Sequence, residues 1–237
     1  SGYYPWAGSP HHREWTNQTR SKNAILIDGK GQSTFDIEAK GRIEQFVHTD
    51  KYDYTVGEAS AAYAKNGVQV DSYRRHVVFL RPDLFVVVDD VRTPSPSHVT
   101  WLLHSAFPLT WDSERNRAHA AGPKGQLDAH LISGQLGSAS VSNEFVPPPE
   151  IQGAAPQWHL TLTSRESARG HRIVAVLVPN RAGESKRVEL LDAGVVEDGD
   201  RLTVHLTYRK DGEEVGATIE LELTDIGVQA GPVIKTM

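Results

Sequence analysis

Short runs of alternating or β-branched apolar residues recur along the chain, each bounded by Gly, Pro, Asn or Asp, and they constrain its fold most. Such runs are typical of strands and turns, and about a dozen of them suit stacked antiparallel sheets. No segment shows a helical period longer than two turns. The sequence therefore predicts an all-β fold, with stacked antiparallel sheets forming a large β-sandwich over residues 24–28, 34–38, 43–48, 58–64, 75–80, 84–88, 99–104, 126–132, 158–164, 173–178, 188–191, 202–208 and 218–223.

Turn signals connect several of these runs. Residues 76–80 and 84–88 flank Arg81-Pro82-Asp83, which predicts a central hairpin because Pro and Asp favour tight turns. Residues 201–208 alternate between an apolar and a polar face, and Asp-Gly signals on both sides predict a meander. Residues 58–64 have helical propensity but lie between strand-like runs, so we expect extended structure there.

Proline-rich stretches show where the chain leaves the sheets. Residues 93–97 and 146–156 are rich in proline, which lacks the N–H that a central strand needs. Composition does not change across either stretch. Both are predicted to be surface loops, and residues 1–237 are predicted to form a single domain.

Composition excludes several classes of protein. An apolar fraction of 38% can fill a core, whereas a net charge of -5 lacks the basic excess of a nucleic-acid or anionic-membrane binder. No run approaches the roughly 20 apolar residues of a membrane span. The chain has no cysteine, so metal binding and proton transfer depend largely on its 11 histidines. Phosphate-binding glycine loops, G-x-S-x-G elbows and H-E-x-x-H helices are absent from the sequence.

Four residues of the first fifty are candidates for chemistry. His11 and His12 are adjacent in a loop, Asp28 ends an apolar run and His48 ends another. Two imidazoles and a carboxylate would suit zinc and leave one histidine to spare, although the spacing matches no compact zinc motif. The alternatives are a solvated histidine pair and an aspartate that only begins a turn. The other eight histidines show no ligand-like spacing, and His76 and His104 are expected in the core or at a sheet edge.

Three ordered blocks carry a family resemblance. The blocks are residues 1–32, 52–63 and 75–90, and they occur in the same order as in the family. The first block runs from Ser-Gly-Tyr-Tyr through Ser-Pro-His-His-Arg-Glu-Trp to Ile-Leu-Ile-Asp-Gly-Lys-Gly-Gln. This pattern resembles the C-terminal β-domain of heparinase II/III-like polysaccharide lyases, especially the oligoalginate lyase branch. The likeness covers about the first hundred residues and is faint beyond them.

The resemblance implies one part of a two-part enzyme. Family members pair an N-terminal (α/α) toroid with stacked β-sheets and cleave uronate-containing polysaccharides by β-elimination. A base removes the proton at C5, and the neighbouring carboxylate must be neutralised as charge develops. The toroid supplies most acid-base groups, so the isolated β-domain is expected to be inactive or nearly so. The start on Ser rather than Met is expected for a processed or excised segment.

The resemblance implies roles for individual residues, according to their positions in the blocks that match the family. It implies zinc as a supporting cofactor on His11, Asp28 and His48, with the exchange of His11 and His12 left open. The remaining implied roles are a catalytic histidine that faces the substrate and side chains that contact the substrate: His12 for the first, and Arg20, Lys22, Tyr52 and Tyr54 for the second. One departure bears on these roles, because many relatives have His-Asn where this chain has Lys22-Asn23.

Expected partners are an anionic polysaccharide or oligosaccharide, alginate-like or glycosaminoglycan-like, and the toroid of the same enzyme. A homo-oligomer, and a secreted or periplasmic location in a bacterium, are compatible with the resemblance. Two other functions stay open. A non-catalytic carbohydrate-binding or supporting sandwich would leave the histidines solvated, and a uronate C5-epimerase would begin with the same proton abstraction.

Overall fold

The computed structural model describes residues 8–82, 84–151, 153–183, 187–223 and 232–236. Strands dominate this part of the chain, and its helical segments are two short turns, His12–Thr16 and Thr19–Ser21, and one helix, α1 (Ser60–Ala64). None of its helices has the length and apolar character that a bilayer span requires. The strands are β1 (Ile25–Ile27), β2 (Arg42–His48), β3 (Tyr52–Glu58), β4 (Ser72–Leu80), β5 (Leu84–Ser97), β6 (Val99–Ser105), β7 (Leu109–Asp112), β8 (Arg117–Ala121), β9 (Gly125–Ser133), β10 (Leu136–Ser142), β11 (Trp158–Ser164), β12 (Ala168–Arg181), β13 (Val188–Asp198), β14 (Arg201–Lys210), β15 (Glu213–Glu222) and β16 (Val233–Thr236).

These strands form three antiparallel sheets, which confirms the predicted all-β sandwich. The central sheet has eight strands in the order β2-β3-β4-β5-β12-β9-β8-β7. A front sheet of four strands, β1-β6-β11-β10, packs on one of its faces, and a back sheet, β13-β14-β15-β16, packs on the other. Two hydrophobic cores result, because alternate residues of the central strands point to opposite faces. Val86 and Val204 belong to the back core, and Val91 and Trp101 belong to the front core.

Two of the predicted local structures are confirmed. β4 and β5 pair from Ser72↔Arg92 to Leu80↔Leu84, so the hairpin exists, although Asp83 of its turn lies outside the described residues. β13, β14 and β15 form the predicted meander. The apolar face of β14 is buried as expected, and it consists of Leu202, Val204, Leu206 and Tyr208.

Three predicted segments differ from the structure. Residues 60–64 are helical, and Tyr63 of this helix is fully buried and donates its hydroxyl to the Ile25 carbonyl at 2.6 Å, so propensity and packing agree. Residues 34–38 form no strand, and Phe35 and Ile37 are exposed. Residues 93–97 belong to β5 rather than to a loop. Their prolines fit because the β5–β12 register shifts there, from Arg92↔Gly170 to Ser97↔Ala168, which leaves residues 93–96 unpaired.

An ion pair between the half-buried Arg75 and the buried Asp89 connects the central sheet to the N-terminal segment. Arg75 donates two hydrogen bonds to Asp89, from Nε at 2.7 Å and from Nη2 at 2.9 Å. The Tyr73 hydroxyl donates to the same carboxylate at 3.0 Å, and Arg75 Nη1 donates to the Asn23 carbonyl at 2.5 Å. Burial alone would lower the pKa of Arg75, but the facing Asp89 carboxylate outweighs it and keeps the guanidinium charged. Both charges are therefore compensated inside the protein.

We expect Asp89→Ala to destabilise the protein by about 3 kcal/mol, the low end for a buried pair, because it leaves the half-buried Arg75 guanidinium without its counter-charge. Glu222→Ala is the matched control, since the Arg201–Glu222 pair is exposed and such pairs contribute about 0–1 kcal/mol. Urea unfolding of both variants measures the difference. Equal losses in the two variants would contradict the assigned role of Asp89.

Candidate functional site

Five rings from distant parts of the sequence meet beside the N-terminal helical turns. His159 lies 4.8 Å from Trp15 and 5.1 Å from His104, measured between ring centroids. Phe145 lies 5.2 Å from His11 and contacts Trp15 and His159 as well. We call these residues the histidine–aromatic cluster: His11, Trp15, His104, Phe145 and His159.

Local hydrogen bonds build the turn that carries the histidine pair. Ser9 Oγ accepts the His12 backbone N–H at 3.1 Å, and the Thr16 hydroxyl donates to the His11 carbonyl at 3.1 Å. Short hydroxyl side chains bond nearby backbone groups in this way when a helix begins or ends. These bonds fix the backbone of the turn that carries both histidines.

Both predicted histidines are buried, at 6% and 7% exposure, rather than solvated. His11 Nδ1 lies 2.8 Å from the Pro147 carbonyl, which assigns the ring proton to that nitrogen. The His11 backbone N–H donates to Glu150 Oε1 at 3.2 Å. His12 Nε2 accepts from the Asn17 amide at 2.9 Å. These bonds attach the loop that contains Pro147 and Glu150 to His11. The Asn17 bond attaches the end of the helical turn to His12.

His104 and His159 are directly opposed in the register of β6 and β11. His104 Nε2 donates to the Arg20 carbonyl at 3.0 Å, and burial lowers the pKa of His104 to about 4, with His159 acting in the same direction. Burial also lowers the pKa of His159, against the effect of the Glu144 backbone. Neither ring nitrogen of His159 has a hydrogen bond of good geometry within the described residues. Both imidazoles are therefore neutral at pH 7.

Two predicted substrate contacts supply cations beside this cluster. Arg20 donates from Nε to the Glu14 carbonyl at 3.0 Å and from Nη2 to the Val146 carbonyl at 3.1 Å, with its guanidinium 5.6 Å from the Trp15 ring centroid. Lys22 Nζ donates to the Thr16 carbonyl at 2.6 Å, and partial burial lowers its pKa. Both residues remain exposed to solvent. The site thus combines neutral imidazoles with accessible positive charge, which suits a carboxylate-bearing ligand.

The three predicted metal ligands are not placed together. Asp28 has φ 49°, and its Oδ1 accepts the His98 backbone N–H at 2.8 Å, so it is the turn aspartate of the alternative interpretation. His48 ends β2 and bonds Asp53 at 2.7 Å. His11 lies in the histidine–aromatic cluster. No group of three His, Asp or Glu side chains that could hold a metal occurs in the described part of the chain, so these residues as placed do not fit one zinc ion.

The two predicted tyrosine contacts belong to the back core rather than to this site. Tyr54 is 2% exposed, and its hydroxyl donates to His76 Nδ1 at 2.8 Å. Burial raises its pKa above the ordinary range. Tyr52 packs against the same core, and its hydroxyl donates to the Pro232 carbonyl at 3.3 Å. Their positions on β3 direct both side chains away from Arg20 and Lys22, so neither can touch a ligand bound at the cluster.

Sequence reasoning gave no role to Trp15, His104, Phe145 or His159. Each is unremarkable alone, and their proximity depends on the β6–β11 pairing and on the path of the loop after β10. The one available signal was that His104 and His159 each sit at an end of an apolar strand. Register cannot be read from such a pattern without the partner strand.

Comparison with known proteins identifies the family. The family model described as Heparinase II/III-like, C-terminal, matches residues 1–213, so the chain belongs to this family. A search among curated proteins finds no match.

Solved structures show the same fold. The crystal structure of heparan sulfate lyase HepC from Pedobacter heparinus is 14% identical, with a TM-score of 0.66 over 94% of this chain and 34% of that one. The heparinase III-BT4657 gene product is 18% identical, with a TM-score of 0.68 over 94% and 34%. A crystal structure of heparinase III is 16% identical, with a TM-score of 0.63 over 93% of this chain and 32% of that one. The chain thus spans about a third of the length of these lyases.

The lowered pKa of His104 predicts a pH-dependent stability. Between its folded pKa of about 4 and its unfolded pKa near 6.5, the unfolded state binds more protons, so stability falls as pH drops below about 6.5. We expect His104→Gln to reduce the loss of unfolding free energy between pH 7.5 and pH 5 by on the order of 1–2 kcal/mol. His205→Gln, on the exposed face of β14, is the control. The same pH dependence in His104→Gln as in the wild type would refute the neutral state of this half-buried ring.

Proposed function

We propose that this chain is the β-domain of a polysaccharide lyase that cleaves uronate-containing polysaccharides or oligosaccharides by β-elimination. The observation that supports this most is that the half-buried His104 and the buried His159, whose pKa values are lowered by burial, lie beside the exposed cations Arg20 and Lys22, in a chain of the heparinase II/III-like family. The remaining groups come from an upstream (α/α) toroid. The lyase is proposed to be secreted or periplasmic, where such polymers occur.

The chemistry of the reaction explains why imidazoles beside accessible cations are useful. The base takes the C5 proton, the electron pair forms the C4=C5 double bond, and the C4–O bond breaks as an acid protonates the leaving oxygen. A C5–H bond is a weak acid, so positive groups must neutralise the adjacent carboxylate in the transition state. Arg20 and Lys22 are proposed for that neutralisation, and His12 is proposed as the catalytic imidazole that faces the sugar and transfers a proton.

The substrate is proposed at the level of a uronate polymer. The solved relatives include a heparan sulfate lyase and a heparinase III, which supports a glycosaminoglycan. The likeness of residues 1–32 to the oligoalginate lyase branch supports alginate oligomers instead. Incubating the complete enzyme with both polymers, and following the ultraviolet absorbance of unsaturated products, distinguishes them.

We expect His12→Ala to lower kcat/KM of the complete enzyme by about 10²–10⁴-fold, the range typical of a lost proton-transfer group. His205→Ala is the control and should retain activity, because that side chain lies on the exposed face of the back sheet. The isolated chain should show little or no lyase activity. Strong activity of the isolated chain, or full activity of His12→Ala, would overturn the proposal.

Zinc as a supporting cofactor stays a prediction of the resemblance, and elemental analysis of the purified protein at pH 7.5 measures it. Because the Asp28 carboxylate is engaged by the His98 N–H, we expect Asp28→Ala to keep the metal content of the wild type. The lost turn bond should cost about 1 kcal/mol of unfolding free energy. Loss of zinc in Asp28→Ala, with unfolding unchanged, would show instead that Asp28 is a ligand.

Two alternatives give different products. A non-catalytic carbohydrate-binding sandwich would bind the polymer without releasing unsaturated sugars in any context. A C5-epimerase would exchange the C5 proton with solvent and invert that centre without breaking the chain. Product analysis in deuterated water separates both from a lyase.

A further inference from the structure

The proline-rich segment after β10 covers part of the histidine–aromatic cluster. Its residues 143–151 form neither helix nor strand and include three consecutive prolines. Phe145 is the ring that this segment places in the cluster, where it contacts the rings of His11, Trp15 and His159. We call residues 143–151 the cover loop.

Two consecutive carbonyls of the cover loop occupy side-chain donors of the candidate site. Arg20 donates from Nη2 to the Val146 carbonyl at 3.1 Å, and His11 donates from Nδ1 to the Pro147 carbonyl at 2.8 Å. In the proposed reaction Arg20 binds the carboxylate of a uronate, which also presents two acceptor oxygens. The cover loop therefore fills, with uncharged oxygens, a position at which a carboxylate would meet the same donors.

A carboxylate is the stronger acceptor for these donors. Within the described residues the Arg20 side chain donates only to backbone carbonyls, those of Glu14 and Val146, so no acidic side chain neutralises its charge. Hydrogen bonds between a guanidinium and a carboxylate are roughly twice as strong as those between neutral groups. Exchange of the Val146 carbonyl for a substrate carboxylate is therefore favourable at Arg20.

The attachment of the cover loop is light. Val146 and Ile151 are 60% and 51% exposed, and Glu150 bonds the His11 backbone N–H at 3.2 Å. Segments with few buried apolar contacts open at a low cost in free energy. Beneath the loop, His159 is 6% exposed, and neither of its ring nitrogens has a hydrogen bond of good geometry to the described residues. Opening would give this imidazole access to a partner, which buried polar groups normally have.

We propose that the cover loop is a displaceable plug, whose Val146 and Pro147 carbonyls hold the carboxylate position at Arg20 and His11 until a uronate carboxylate replaces them. The inference rests on the proposed function. Phe145 is the anchor that keeps the loop closed. The closed loop excludes water from the imidazoles, and the open loop presents them to the sugar together with Arg20.

Binding of glucuronate to the complete enzyme tests the competition, with glucose as the comparison ligand that lacks the carboxylate. If only the open state binds, the apparent Kd equals the intrinsic Kd divided by the open fraction. We expect Phe145→Ala to bind glucuronate about tenfold more tightly than the wild type in isothermal titration calorimetry, because the loop loses its aromatic contacts. Phe145→Leu should give a smaller gain. Phe35→Ala, in another loop and 76% exposed, is the matched control and should bind as the wild type does.

Carbethoxylation of His159 by diethyl pyrocarbonate, followed by peptide mass spectrometry, reports opening without a ligand. We expect it to be about tenfold faster in Phe145→Ala than in the wild type, with the exposed His205 unchanged.

Glucuronate affinity in Phe145→Ala that equals or falls below that of the wild type would overturn the proposal, as would unchanged reactivity of His159 or a failure of every form to bind glucuronate. Neither measurement needs turnover. The expected binding without release of unsaturated sugars would therefore contradict only the proposed function, whereas an active lyase without the gain in affinity would contradict only the role of the cover loop.

Discussion

The ion pair of the half-buried Arg75 with the buried Asp89 is the interaction on which the arrangement of this protein most depends. It lies on two adjacent central strands and reaches the Asn23 carbonyl, just before β1 begins. Because a lone buried charge is far costlier than a paired one, the N-terminal segment is held where it completes the guanidinium's hydrogen bonds. The position of the candidate site relative to the central sheet follows from that requirement.

The histidine–aromatic cluster shows how sheet pairing creates a site that has no contiguous motif. His104 and His159 meet because β6 and β11 pair in one register, and the helical turns bring Trp15 against His159 and His11 against Phe145. Burial keeps the imidazoles of His104 and His159 neutral, whereas Arg20 and Lys22 are exposed to solvent beside them. A site of this kind keeps neutral imidazoles, which can bind a proton, close to side chains that stay positively charged.

Alternation and turn chemistry were sufficient to predict the all-β sandwich of antiparallel sheets, the β4–β5 hairpin and the meander around β14, but not the number of sheets or their strand order. The helix at residues 60–64 was missed because its neighbours are strands, although its propensity was correct. In the site, Arg20 and Lys22 were predicted as substrate contacts. They do lie beside the histidine–aromatic cluster, but whether they bind a substrate stays a prediction. Tyr54 was misplaced because a polar hydroxyl can be satisfied inside a core, here by His76, which sequence alone cannot reveal.

The extra residue in β2 has a consequence for how this edge tolerates changes in length. Where strands of the central sheet pair without a register shift, losing one residue would invert the facing of every side chain up to the next turn. At Glu44 the ladder already passes over one residue, since Ile43 pairs with Gly57 and Gln45 with Val56. Homologous chains can therefore differ by one residue here and keep the same apolar side chains outward, losing only a carboxylate that bonds Arg42 and Arg74.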